Sequence, residues 1–314
     1  MKSRTIPALA TFAATVAAFA AGAARAESIL FIGNSFTYAQ GSAVHYYRAG
    51  TVTDLNGEGI GGLPALFKSF ADQSGLAYDV YLETHGGIGL DWHLANEAGV
   101  LGSRSWDRVV MHGYSTLDAK HPGDPALLVE TSRRMAELLA AKNPAIDIRL
   151  LATWPRADQV YPAQGAWHGK TLAAMNADLR AGYDRAAAAA PQIHGVVPVG
   201  DAWMRAVDAG VADPDPYDGT AAGQVDLWTY DHYHASNFGY YLEALVVFGS
   251  VTGHDPRALG AGECSAYELG LSPAQAGALE RVAYQQLVAS GLLKEAPAPT
   301  DHSALRQRCA AAKP

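Results

Sequence analysis

Two short segments, far apart in the chain, carry the side chains best suited to covalent chemistry. The first is Gly33-Asn34-Ser35-Phe36-Thr37, reached directly from the apolar run Ser28–Ile32. A serine at the carboxyl end of the first strand of an open α/β sheet lies where such folds take their ligands. A helix starting just after it would aim backbone N–H groups at any negative charge formed there. The same residues also fit a plain strand-to-helix turn with serine as its cap. The second segment is Asp231-His232-Tyr233-His234, ahead of an apolar helical stretch. Asp and His at this spacing can share one turn. The carboxylate then holds the Nδ1 proton, and Nε2 faces outward as a base. The alternative is a polar cap on the helix that Ser236 or Asn237 begins. A serine hydroxyl is a weak nucleophile without a base, so the segments mean more together than apart: Ser35 as nucleophile, His234 as base, Asp231 as its orienting acid.

These residues need a scaffold, and the pattern supplies one. Apolar, β-branched runs recur at Ser28–Ile32, Ala77–Thr84, Arg108–His112, Asp147–Thr153 and Ile193–Val199. Several show little alternation, as strands buried on both faces do. Helical patterns separate them. Leu63–Ser74 fits one helix, and Asp124-Pro125 opens another that runs to about Lys142. Thr171–Ala190 is closed by Pro191, and a further helix runs from Ser236 to about Gly253. Alternating strand and helix predicts an α/β fold with a mainly parallel sheet. Beyond residue 260 the pattern changes. Ser272-Pro273-Ala274-Gln275 is a capping box with proline at the first helical position, and Gly291 marks a stop. The organisation predicted is a leader over 1–26, one domain over 27–260 and a helical extension over 261–314.

The chain has 314 residues, 49% of them apolar and 17% charged, which fits an ordinary globular protein with an ample core. A net charge of -8 without a Lys/Arg run argues against nucleic-acid binding. Lys2 and Arg4 precede an Ala-rich apolar stretch that ends in Ala24-Arg25-Ala26, the pattern of a cleaved secretory leader, so a periplasmic or secreted protein is expected. Cys264 and Cys309 are the two cysteines. In an oxidising compartment they are expected to bond, tying the tail to the domain.

A strand-Gly-x-Ser near the start together with Asp-x-x-His near the end of the α/β region resembles the SGNH/GDSL hydrolase superfamily. The resemblance spans roughly Ser28 to Gly253. Asp231–Gly253, Trp106-Asp107-Arg108-Val109-Val110 and Thr153-Trp154 resemble a branch of exported bacterial SGNH-like proteins. It implies a flavodoxin-like three-layer α/β/α sandwich around a five-stranded, mainly parallel sheet. It also implies an esterase that works through an acyl-enzyme on Ser35 without a cofactor or catalytic metal, an O-acetylated carbohydrate being one candidate substrate. The family's oxyanion hole takes the nucleophile's own N–H, a glycine after the second strand and an asparagine after the third. Gly87, rather than Gly86, matches the glycine. The asparagine is missing: His112-Gly113-Tyr114-Ser115-Thr116 stands there, where the Ser115 hydroxyl or the His112 ring N–H could supply a donor. The usual Gly-Asp-Ser is Gly33-Asn34-Ser35 here. Trp154 and Arg156 leave the fourth strand and are candidates for lining the substrate cleft, as are Trp92 and His93 after the second.

Other chemistries fit less well. His232 and His234 beside Asp231 could chelate a metal in a metal-dependent hydrolase, although no HExxH is present. Gly57-x-Gly59-x-x-Gly62 follows no convincing strand, and His168-Gly169-Lys170-Thr171 lacks P-loop spacing. A non-catalytic, carbohydrate-binding relative of the same fold is the competing class, and the missing asparagine favours it.

Overall fold

The structure is a computed structural model that describes Met1, residues 25–260 and residues 262–299. Most of the expected leader, and Cys309 as the partner expected for Cys264, lie outside the described residues. Six strands form one sheet: β1 (Glu27–Gly33), β2 (Thr53–Asp54), β3 (Tyr78–Thr84), β4 (Arg108–Met111), β5 (Asp147–Ala152) and β6 (Ile193–Pro198). Their order is β2-β3-β1-β4-β5-β6, and every pairing is parallel. Five strands match the apolar runs. The sixth, β2, is a two-residue edge paired with Tyr81 and Leu82, too short to leave a periodic pattern.

The helices are α1 (Gly62–Gln73), α2 (Leu90–Asn96), α3 (Ala98–Leu101), α4 (Ala126–Ala140), α5 (Ala157–Val160), α6 (Leu172–Ala188), α7 (Val199–Asp208), α8 (Asn237–Thr252), α9 (Cys264–Glu268) and α10 (Pro273–Ala289). They flank the sheet, α1 packing with α8 and α4 with α2 and α6. Ile29 to Ile32 of β1 are fully enclosed, as expected for a central strand covered on both faces. Local chemistry sets the helix ends. Thr171 caps α6 by accepting from Ala174 N, and Ser236 caps α8 by accepting from Phe238 and Gly239 N–H. Ser272 and Gln275 form the reciprocal capping box of α10. α8 is buried on all sides, sandwiched between α1, α7 and α10.

Two features of this topology position a site. β1 lies between β3 and β4, where the strand order reverses, and the crevice of an open α/β sheet forms at such a switch point. The register pairs Gly33 with Thr84 and Ile32 with Met111. The loops that begin at Asn34, His85 and His112 therefore leave the sheet at one level.

Candidate active site

The turn after β1 differs from the expected helix. Thr37 and Tyr38 N–H both bond to Asn34 O, but Ala39 (φ 65°) and Gly41 (φ 77°) enter the left-handed region and end the turn. Asn34 is its staple. Its Nδ2 donates to Ile88 O (2.8 Å) and Gly113 O (3.3 Å), and its Oδ1 accepts from Phe36 N–H (3.1 Å). One side chain thus ties the nucleophile turn to the loops after β3 and β4. An aspartate could not donate to those carbonyls, which gives the departure from Gly-Asp-Ser a physical reason. Ser35 itself is buried, and its carbonyl accepts from the Tyr240 hydroxyl of α8 (3.1 Å).

The second segment is closely organised. Asp231 Oδ2 lies 2.6 Å from His234 Nδ1, while Oδ1 accepts from the backbone N–H groups of Tyr233 (3.0 Å) and His234 (2.9 Å). Burial raises the Asp231 pKa, but these hydrogen bonds outweigh it and hold the carboxyl below its ordinary value. An ionised Asp231 fixes the proton on Nδ1. His234 Nε2 is buried and, among the described residues, carries no hydrogen bond to Ser35 or to any other group. Phe36 joins the two segments: its ring centroid lies 5.8 Å from that of His234 and 5.4 Å from that of Tyr233.

The imidazoles of His232 and His234 face different partners. His232 adopts φ 55° and lays its ring 4.0 Å from Tyr217, whereas His234 Nδ1 belongs to Asp231. The backbone thus turns the two rings apart, which argues against a chelate between them.

A cavity of about 200 Å³ opens beside these segments. Asn34 and Tyr233 line it, the residues that precede Ser35 and His234, together with Gly87, Tyr114, Ser115 and Arg156. Gly87 has φ 72° and open space where a Cβ would stand; Gly86 has ordinary φ, and a Cβ there would meet the Tyr38 hydroxyl. Arg156 Nη1 donates to Ser115 Oγ (3.1 Å), and its guanidinium carbon sits 3.4 Å from the centre of the Tyr233 ring, which stacks on His234. Asp158 pairs with the same guanidinium (2.6 Å).

Three sequence expectations need correction. Trp154 does not line the cleft. It is fully buried, stacked between Phe36 (4.0 Å) and Trp203 (4.8 Å), and it donates Nε1–H to Tyr233 O (3.1 Å). Its ring packs the nucleophile turn against the loop of the base. His112 is not a free ring donor either. Burial pushes its pKa down to about 4, so the ring is neutral. Nδ1 faces Gly113 O (2.9 Å), which leaves Nε2 to accept from the Thr37 hydroxyl (2.8 Å). His93, weighed with Trp92 as a cleft residue, is also fully buried; it pairs with Glu83 and reaches Gly33 O (2.9 Å). Asn34, Tyr233 and Tyr240 carry much of the arrangement, and nothing in their sequence context marked them beyond lying in or near the two motifs.

No protein-family model matches the chain, and no curated protein does. Solved structures do. A DUF4886 family protein from Bacteroides uniformis is similar over 85% of this chain and 96% of its own, with 16% identity and a TM-score of 0.59. A proposed GDSL-like lipase from Parabacteroides merdae is similar over 72% and 95%, with 16% identity and a TM-score of 0.50. A proposed SGNH hydrolase from Slackia heliotrinireducens covers 71% and 98% at 23% identity, with a TM-score of 0.49. The chain thus shares its α/β fold with these solved structures.

Proposed function

We propose that the chain is an exported serine esterase, with an O-acetylated carbohydrate as the first substrate class to test. Ser35 Oγ attacks the ester carbonyl as His234 Nε2 takes its proton. The alcohol leaves with that proton and an acyl-enzyme remains. Water, activated by the same ring, then releases the acid and restores Ser35. The observation that carries this reading is the Asp231–His234 pair: Nδ1 is fixed by an ionised carboxylate, Nε2 is buried and unbonded among the described residues, and the ring lies against Phe36, next to Ser35. Catalytic hydrogen bonds often tighten only when substrate is bound.

The oxyanion donors in this reading are the N–H groups of Ser35 and Gly87 and the Ser115 hydroxyl. Support for Ser115 comes from Arg156: a hydroxyl that accepts from a guanidinium keeps its own proton free to donate. Arg156 also lines the cavity as a substrate contact. Export rests on the leader pattern ending at Ala26.

The first test is hydrolysis of p-nitrophenyl acetate and of acetylated xylo-oligosaccharides. The wild type should turn over, and S35A and H234A should each lose about a thousandfold or more in kcat. A second reading, a carbohydrate-binding relative without turnover, is favoured by the unmade Ser35–His234 hydrogen bond. Binding of an oligosaccharide by wild type and S35A alike, with no hydrolysis, would support it instead.

A further inference from the structure

We infer that Glu83, His85 and Glu97 form a site for a divalent transition-metal ion, zinc in the first instance, beneath the loop that carries Gly86 and Gly87. Glu83 and His85 leave the end of β3, and Glu97 follows directly on α2. His85 Nε2 lies 3.4 Å from Glu83 Oε1 and 3.9 Å from Glu97 Oε1, and the three donor atoms fall within 4.8 Å of one another. Donors held at about 2.0–2.2 Å around tetrahedral zinc are separated by roughly 3.3–3.6 Å. Only a modest closure is therefore required. One imidazole with two carboxylates is a donor set that suits zinc, with manganese next.

The second observation is Glu83 itself. It is fully buried, and among the described residues its Oε1 finds no hydrogen-bond donor although it faces the cluster. A buried carboxylate oxygen left in this way is costly, and a cation between Glu83 and Glu97 would remove the cost together with their mutual repulsion. The surroundings resemble an outer shell. Oε2 of Glu83 pairs with His93 Nδ1, and the ring of Trp92 lies 4.4 Å from that of His85, fixing its orientation. Asn56 Nδ2 reaches His85 Nε2 at 3.3 Å, but its shorter bond, 2.6 Å, goes to Thr84 O, so the ring nitrogen is readily released. His85 and Glu97 are partly exposed, which leaves one side open for a water ligand and for entry of the ion. A bound ion would join β3 to α2 and stiffen the loop between them. This inference does not depend on the Ser35 chemistry.

The test uses the full-length, chelator-treated protein titrated with zinc chloride, followed by calorimetry and by thermal unfolding. One equivalent should bind, and Tm should rise by about 5 °C once the free ion is at a hundredfold excess over Kd. H85A and E97Q, both at partly exposed positions and checked for metal-free Tm, should each weaken binding by roughly a hundredfold, and H232A should not. Failure to bind zinc or manganese would overturn the inference. So would binding that survives H85A and E97Q and disappears in H232A, which would put the ion beside Asp231.

Discussion

Ser115 has a testable part at the scale of single residues. Removing one oxyanion donor costs about a hundredfold or more in rate when the geometry is otherwise kept. S115A should therefore lower kcat by about a hundredfold with little change in KM, measured on p-nitrophenyl acetate. An unchanged kcat would remove Ser115 from the hole and leave its bond to Arg156 as a packing feature. Asn34 makes a different prediction. N34D would set a carboxylate against the carbonyls of Ile88 and Gly113 and lose two donated hydrogen bonds. A cost of about 1–3 kcal/mol is expected, read as a fall in the midpoint of urea unfolding. The motif Gly-x-Ser was legible from sequence because its chemistry lies in the Ser and in the strand before it. The task of the middle residue was not, because its partners lie on loops 54 and 79 residues away.

At the scale of elements, the base loop and the loop after β5 are fastened together. Asp158 N–H bonds to His232 O (3.1 Å), Trp154 Nε1–H to Tyr233 O (3.1 Å) and Trp228 Nε1–H to Pro155 O (3.1 Å). W154A should cost about 3–5 kcal/mol, since it empties the stack between Phe36 and Trp203. Because that stack also holds Phe36 against His234, kcat should fall in protein that is still folded. Equal kcat in folded W154A would confine the indole to stability. Sequence gave no means of choosing between cleft and core for Trp154, because a tryptophan at a strand end serves either. The missed helices have similar physical causes. α2 follows Gly89 and α7 follows Pro198, neither with a side-chain cap bond, so the usual start signal is absent. Of the helices that were read, α6, α8 and α10 have side-chain caps, whereas α1 and α4 lack a side-chain cap bond and were legible from their apolar period and the Asp124-Pro125 start.

Over the whole molecule, α10 packs on α8 and α7 and buries Glu280 close to Glu263. Glu280 of α10 has its pKa pushed up to about 9, by burial first and by neighbouring Glu263 second. Glu263, buried before α9, accepts from Gln73 of α1 and from the N–H of Ser265. In the unfolded chain Glu280 would titrate near its ordinary value of 4.5. Between about pH 4.5 and 9 the unfolded chain therefore gives up a proton that the folded chain keeps, and stability falls as pH rises through that window. E280Q should flatten the decline of Tm between pH 5 and 9; a slope identical to wild type would mean that Glu280 is ionised in the folded state. The α/β class, the strand runs and both chemical motifs could be read from local pattern. The strand order, the Phe36–Trp154–Trp203 stack and the Glu83–His85–Glu97 grouping could not, since each joins residues that only the tertiary fold brings together. The central claim, that Ser35 is a nucleophile activated by His234, is met most directly by intact-mass and peptide mass spectrometry after treatment with a fluorophosphonate. One adduct per chain is expected, located on Ser35, absent in S35A and formed far more slowly in H234A. An unlabelled but folded wild type, or an adduct that persists in S35A, would contradict it.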